Sequence, residues 1–126
     1  MIDSNFIKNN TIHISNVSRE TLKELDDYGK SIILKNKEIN LISSSTEKSI
    51  NTRHLIDSAQ TIDFIDNIDI NTCTDLGSGA GLPGIVLAIL MKYKKPQFKV
   101  IFYEKSFHKS KFLRDMSKKF NLNTEV

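Results

Sequence analysis

Residues 72–86 read "TCTDLGSGAGLPGIV", with four glycines in the eight positions 77–84 set between two apolar runs. A helix or strand interior does not tolerate that density, because each glycine surrenders more backbone freedom on folding than any other residue. The stretch therefore predicts a short buried strand, a tight loop and a helix in direct succession. Pro83 is expected in the first turn of that helix, where a missing N–H does no harm. A loop running from the carboxyl end of a strand into a helix N-terminus is where open parallel sheets bind cofactors.

The surrounding pattern supplies the rest of such a sheet. "KPQF" reads as a turn, "KVIFYE" bulks and alternates like a strand, and "SFHKSKFLRDMSKKF" is an amphipathic helix expected to turn Phe107, Phe112, Leu113, Met116 and Phe120 inward. "NTEV" has the look of a third strand's first residues. The order β-α-β-α-β predicts right-handed crossovers and a parallel sheet, an α/β fold.

Ahead of it, residues 1–15 show no sustained period and are expected to form a loosely held arm. From about Ser18 the pattern is helical: Leu22, Leu25, Tyr28, Ile32, Ile33 and Ile39 fill one stripe, with Thr21 and Glu24 at the spacing of a capping box. Gly29 weakens its middle. Ser44 and Glu47 repeat that spacing before an apolar face of Ile50, Leu55, Ala59 and Ile62. The chain thus divides into a helical N-terminal extension, residues 1–68, and the first part of an α/β domain, residues 69–126. A doubly wound domain has roughly five to seven strands covered on both faces, and two strands with the start of a third fall short of it. Either the chain is truncated, or the N-terminal helices cover one sheet face and a partner covers the rest.

Charge and cysteine content narrow the classes. One cysteine, Cys73, and isolated histidines at 13, 54 and 108 exclude a disulfide framework and argue against a metal site. No apolar run approaches the length that spans a bilayer, so a soluble cytoplasmic chain with no membrane partner is expected. The net charge of +3 is uneven: residues 92–119 carry ten Lys/Arg against two acids, Glu104 and Asp115. Such a segment can be a footprint for nucleic acid, although a coding bias toward Lys, Ile and Asn accounts for it as well.

Two glycine registers compete within the loop. Gly79-x-Gly81-x-x-Gly84 fits the dinucleotide fingerprint of an NAD-dependent oxidoreductase, and Asp75-x-Gly77-x-Gly79-x-Gly81 fits the acid-led form of S-adenosylmethionine (SAM) sites. A dinucleotide fingerprint starts immediately after its strand, so the first register leaves Gly77 and Ser78 unexplained. An acid at 75 would repel a pyrophosphate, whereas it can organise the loop or favour the ammonium and sulfonium of SAM. Glu104 closes the second strand, where an acid reaches two ribose hydroxyls. A P-loop is excluded, since no Gly-Lys-Ser/Thr follows.

Four blocks, "NKEINLIS" at 36–43, "RHLIDS" at 53–58, "DLGSGAGLPGIVLAI" at 75–89 and "EKSFHKSKFLRDM" at 104–116, resemble the bacterial 16S ribosomal RNA guanine-N7 methyltransferases, also called glucose-inhibited division protein B. The likeness runs from about residue 22 to the last residue. It implies a class I SAM-dependent methyltransferase fold, Rossmann-like, with a helical N-terminal extension, and methyl transfer to N7 of one guanine in the 16S rRNA of the 30S subunit. By position it implies that Gly77, Gly79 and Leu82 line the cofactor, with Glu104 on its ribose; Asp75 and Gly81 complete the set read from the loop. It also implies further contacts from residues beyond Val126, so weak SAM binding at best and no turnover on 30S subunits are expected of these 126 residues alone.

Guanine N7 carries a free lone pair, so no proton need leave before attack and no dedicated general base is expected. Catalytic residues are accordingly unassigned. Arg53 and Asp57 are one helical turn apart and can pair beside His54; alternatively, Arg53 and His54 face the cofactor pocket or RNA. Lys105, Lys109 and Lys111 are candidates for phosphate contacts. A non-catalytic RNA-binding module that keeps only the first half of the fold is the remaining alternative.

Overall fold

A computed structural model describes residues 17–65 and 68–126, with residues 51–53 described by their backbone only. The expected arm at 1–15 lies outside the described residues. Helix α1 spans Arg19–Asn36. Its cap is Ser18, whose Oγ accepts the Thr21 N–H at 3.1 Å, three residues ahead of the expected Thr21–Glu24 box. Glu24 instead reaches Lys92 at 2.9 Å. The stripe is as read: Leu25, Tyr28 and Ile32 are buried.

Asn36 ends α1 and turns the chain. Its Oδ1 accepts the N–H groups of Leu41 and Ile42, and its Nδ2 donates to Glu47. Glu47 is thereby drawn away from the second expected capping box, and α2, Ser44–Glu47, has no side-chain cap. A π-helical stretch, Asn51–Ile56, follows, then short helices α3, Asp57–Ala59, and α4, Ile62–Ile65. The expected apolar face survives the interruptions, with Ile50, Leu55, Ala59 and Ile62 all buried. The wider π turn shifts the phase of the stripe, and Leu55 and its neighbour Ile56 are both buried.

Strand β1 spans Thr72–Leu76, β2 Lys99–Tyr103 and β3 Thr124–Glu125. They form a parallel sheet in the order β1-β2-β3, with Cys73 beside Val100, Asp75 beside Phe102, and Val100 beside Thr124. Helix α5, Gly84–Lys94, joins the first two strands and α6, Phe107–Lys119, the second and third. Pro83 stands at the cap position of α5 rather than inside its first turn.

Every residue of α5 from Gly84 to Met91 is buried. A helix apolar all round must be covered all round. The sheet and α6 pack against it, and so do α1 and α3, while the 51–56 stretch packs on α1 and α3. Lys92, at the end of α5, closes the seam: its Nζ donates to Glu24 Oε1 at 2.9 Å and to the Phe120 carbonyl at 2.7 Å. The N-terminal helices therefore form a third layer over α5.

Two expectations need correction. β1 is not a buried strand: Thr72, Thr74 and Leu76 are exposed and only Cys73 and Asp75 are half-buried. The helices cover the face carrying Val100 and Phe102, so the opposite face leaves Leu76 77% and Tyr103 60% exposed. Phe107 does not point inward either, being 72% exposed, whereas Phe112, Leu113, Met116 and Phe120 are buried. At about 100° per residue Phe107 falls on the side of α6 opposite that stripe.

The sandwiched position of α5 predicts a steep stability contrast. Ile89→Ala, at a site with no exposure, should cost about 2–5 kcal/mol, and Leu34→Ala on the exposed side of α1 less than about 0.5 kcal/mol. Urea midpoints of the two variants measure the difference.

Candidate cofactor site

The glycine loop leaves β1 at its carboxyl end and is tied down at both ends. Gly77 and Ser78 donate their N–H groups to the Tyr103 carbonyl of β2 at 2.9 and 3.3 Å. Asp75 Oδ2 accepts the Gly84 N–H at 3.1 Å, so a carboxylate from the strand caps the N-terminus of α5. Ser78, buried, donates its hydroxyl back to the Asp75 carbonyl at 2.8 Å. These bonds close the loop across residues 75–84.

Glu104 fastens the loop to the second strand. Its Oε2 accepts the Gly79 N–H at 2.8 Å and its Oε1 the Ser106 N–H at 2.9 Å. These two backbone bonds, Ser106 first, hold its carboxyl below the ordinary glutamate range, with the Lys109 charge assisting. Asp75 moves the other way. Burial lifts its carboxyl above the usual range and the nearby Glu104 charge adds to that, against the opposing Gly84 bond.

The glycines divide into two kinds. Gly77, Gly79 and Gly81 all have positive φ, at 69°, 56° and 89°. A Cβ placed on Gly77 or Gly79 would meet nothing within 4 Å. At Gly81 it would overlap Ile85 and lie 2.9 Å from Leu113, and at Gly84 it would overlap Phe102 and lie 2.6 Å from Asp75 Oδ2. The first two glycines thus border open space, and the last two let α5 and α6 close on the sheet.

The comparisons with known proteins agree with this architecture. The family model described as GidB, rRNA small subunit methyltransferase G, matches residues 21–126. The chain belongs to this family. It is 50% identical over 113 residues to the ribosomal RNA small subunit methyltransferase G of Pelagibacter ubique, a match covering 88% of this chain and 53% of the relative. Proteins of the same name from Cereibacter sphaeroides and Rickettsia akari are 43% and 40% identical over 111 and 110 residues, covering 88% and 87% of this chain and 53% and 54% of theirs. The chain spans about half the length of these curated relatives. The GidB match takes in α1 from residue 21 onward, the glycine loop and Glu104.

The fold brings Asp75, Gly77, Gly79, Gly81, Leu82 and Glu104 into one region at the carboxyl ends of β1 and β2. Leu82 is half-buried and packs against the core. Of the other candidates, Lys105 and Lys109 act on Glu104, Lys105 through its backbone N–H and Lys109 through its charge. His54 Nε2 bonds Thr46 Oγ1 at 2.9 Å, and the side chain of Arg53 lies outside the described residues. Lys105 is exposed beside Glu104, Lys109 is half-buried, and Lys111 is paired with Asp115 at 2.8 Å. Among the described residues no group of His, Cys, Asp and Glu could hold a metal ion, and no helix is long and apolar enough to cross a membrane.

Sequence reasoning missed one partner of the loop and two of Glu104. Tyr28 of α1 donates its hydroxyl to the Ala80 carbonyl at 2.6 Å, Ser106 supplies the second N–H to Glu104, and Ser110 donates to the Glu104 carbonyl at 2.8 Å. A tyrosine on an otherwise aliphatic stripe was the one available hint, since a buried hydroxyl requires an acceptor.

Gly81→Ala should destabilise the fold by about 2–4 kcal/mol, combining positive-φ strain with overlap in the core. Gly77→Ala should cost only the strain, about 1 kcal/mol; urea denaturation separates the two. Glu104 gives a pH signature. Its folded pKa is depressed, so its contribution is complete above the ordinary glutamate value of 4.5 and is lost as the pH falls through the lower folded value. Denaturation midpoints measured below pH 4.5 should fall less steeply in Glu104→Gln than in the unsubstituted chain.

Proposed function

We propose that the loop at 77–79 holds SAM and that the chain is the cofactor-binding part of an enzyme that methylates N7 of a guanine in the 16S rRNA of the small ribosomal subunit. The observation that carries this reading is the open space at Gly77 and Gly79 beside the Glu104 carboxylate. It is a cradle that side chains would fill, next to an acceptor fixed by two backbone bonds. Each Glu104 oxygen keeps a further lone pair, which suits ribose hydroxyls. Gly77, Gly79 and Leu82 would line the cofactor, Glu104 would hold its ribose, and Asp75 organises the loop through Gly84.

The same geometry disfavours the dinucleotide register. That register needs its second glycine open for close approach of a pyrophosphate, and the corresponding Gly81 is packed against Ile85 and Leu113. SAM supplies a methyl group on a sulfonium, an electrophile that the guanine N7 lone pair can attack directly. The residues of this chain then have to bind and orient, with no proton to remove. Lys105 and Lys109 are the best placed to meet RNA phosphates, being close in sequence to Glu104, whereas Lys111 is engaged with Asp115. In this reading the chain divides at residue 68 into an N-terminal extension and the cofactor-binding part at 69–126, and a ribosomal substrate would be met in the cytoplasm.

Titration with S-adenosylhomocysteine tests the reading. The chain should show saturable binding, weaker than micromolar, that is lost in Gly79→Val and reduced at least tenfold in Glu104→Ala, with NAD unable to compete. A folded chain that binds NAD, or that binds neither compound, would overturn the assignment.

A further inference from the structure

Tyr28 makes the contact on the glycine loop that is most distant in sequence. Its ring has no exposure, and its hydroxyl crosses 52 residues of sequence to donate to the Ala80 carbonyl at 2.6 Å. Ala80 sits between Gly79 and Gly81, both at positive φ. With no Cβ on either flank, little steric resistance opposes rotation of the peptides on either side of Ala80. The Ala80–Gly81 peptide is held at both of its polar groups: its carbonyl accepts from Tyr28 of α1, and its N–H donates to the Ser78 carbonyl at 2.8 Å, while Glu104 at the end of β2 takes the N–H of the preceding Ser78–Gly79 peptide at 2.8 Å.

Resting on the SAM reading of the same loop, we propose that Tyr28 is a positioning residue: its hydroxyl draws the Ala80 carbonyl into the core and so fixes the backbone orientation in which Gly77 and Gly79 border the cofactor space. The N-terminal extension then sets cofactor affinity without touching the cofactor. Ala80 is itself 4% exposed. A carbonyl left there without its donor bears the desolvation cost of an unpaired buried group, and turning outward to find water is the available escape. That turn would rotate the Ala80–Gly81 peptide, break the Gly81–Ser78 bond and disturb the neighbouring Gly79 N–H that Glu104 holds. Burial, with the neighbouring Asp75 charge, raises the phenol well above the ordinary tyrosine range, in the direction that favours the donor form.

Tyr28→Phe tests the proposal, because it removes one oxygen and leaves the ring packing in place. Ile32→Val, on the same buried stripe of α1, is the control for simple loss of core stability. Nuclear magnetic resonance titration with S-adenosylhomocysteine reads affinity and the Gly79, Ala80 and Gly81 amide signals in one experiment. Tyr28→Phe should bind about five- to tenfold more weakly, as expected for one buried hydrogen bond, and should shift and broaden the three loop amides before ligand is added. Ile32→Val should change neither, even where the two melting temperatures fall alike. Equal affinity in Tyr28→Phe and the unsubstituted chain, or a loss matched by Ile32→Val, overturns the positioning role while the cofactor reading stands. Absence of binding by the folded unsubstituted chain instead removes the cofactor reading, and the positioning role with it.

Discussion

Burial of α5 on every side is the constraint on which the other layers depend. Eight successive residues from Gly84 to Met91 have no exposed face, and a helix of that kind is stable only when other elements enclose it. The sheet cannot do this alone, because it covers one side. The N-terminal helices are therefore part of the same core, which runs without a break from Leu25 and Ile32 through Ile85 and Ile89 to Val100 and Phe102. That common core brings Tyr28 within hydrogen-bonding reach of the loop.

The loop shows how one sequence motif can serve two physical ends. Gly81 leaves no room for a Cβ beside Ile85 of α5 and Leu113 of α6, Gly84 none beside Phe102 and Asp75 of the sheet, and Gly77 and Gly79 are glycines because the backbone turns at positive φ beside open space. The two carboxylates divide in a similar way. Asp75 faces inward to the N-terminus of α5 and is lifted by burial, while Glu104 stands nearer solvent and is lowered by two backbone N–H bonds.

The basic surplus of residues 92–119 looks different once its partners are known. Lys92 bridges Glu24 and the Phe120 carbonyl, Lys95 donates to the Ile70 carbonyl, Lys99 pairs with Glu125, Lys111 with Asp115, and Lys119 reaches Ser31. Four of the ten basic residues thus tie distant parts of the chain together, and Lys111 is engaged within α6. A count of charges along a segment overstates its footprint for nucleic acid whenever the partners come from distant parts of the chain.

The α/β order, the parallel pairing and the position of the glycine loop were all legible in the sequence, because turn chemistry and hydrophobic period are local properties of the chain. Both capping boxes were misplaced, since Glu24 and Glu47 found longer-range partners in Lys92 and Asn36, and such competition is invisible to spacing. The inward placement of Phe107 failed on phase, which its offset from the Phe112–Met116 stripe already contained. By itself the sequence determined that a strand, a glycine loop and a helix follow one another with acids at 75 and 104. Only the tertiary structure decided which glycines border open space, which face of β1 is covered, and that Tyr28 grips Ala80, because each of these depends on where elements far apart in the chain come to rest.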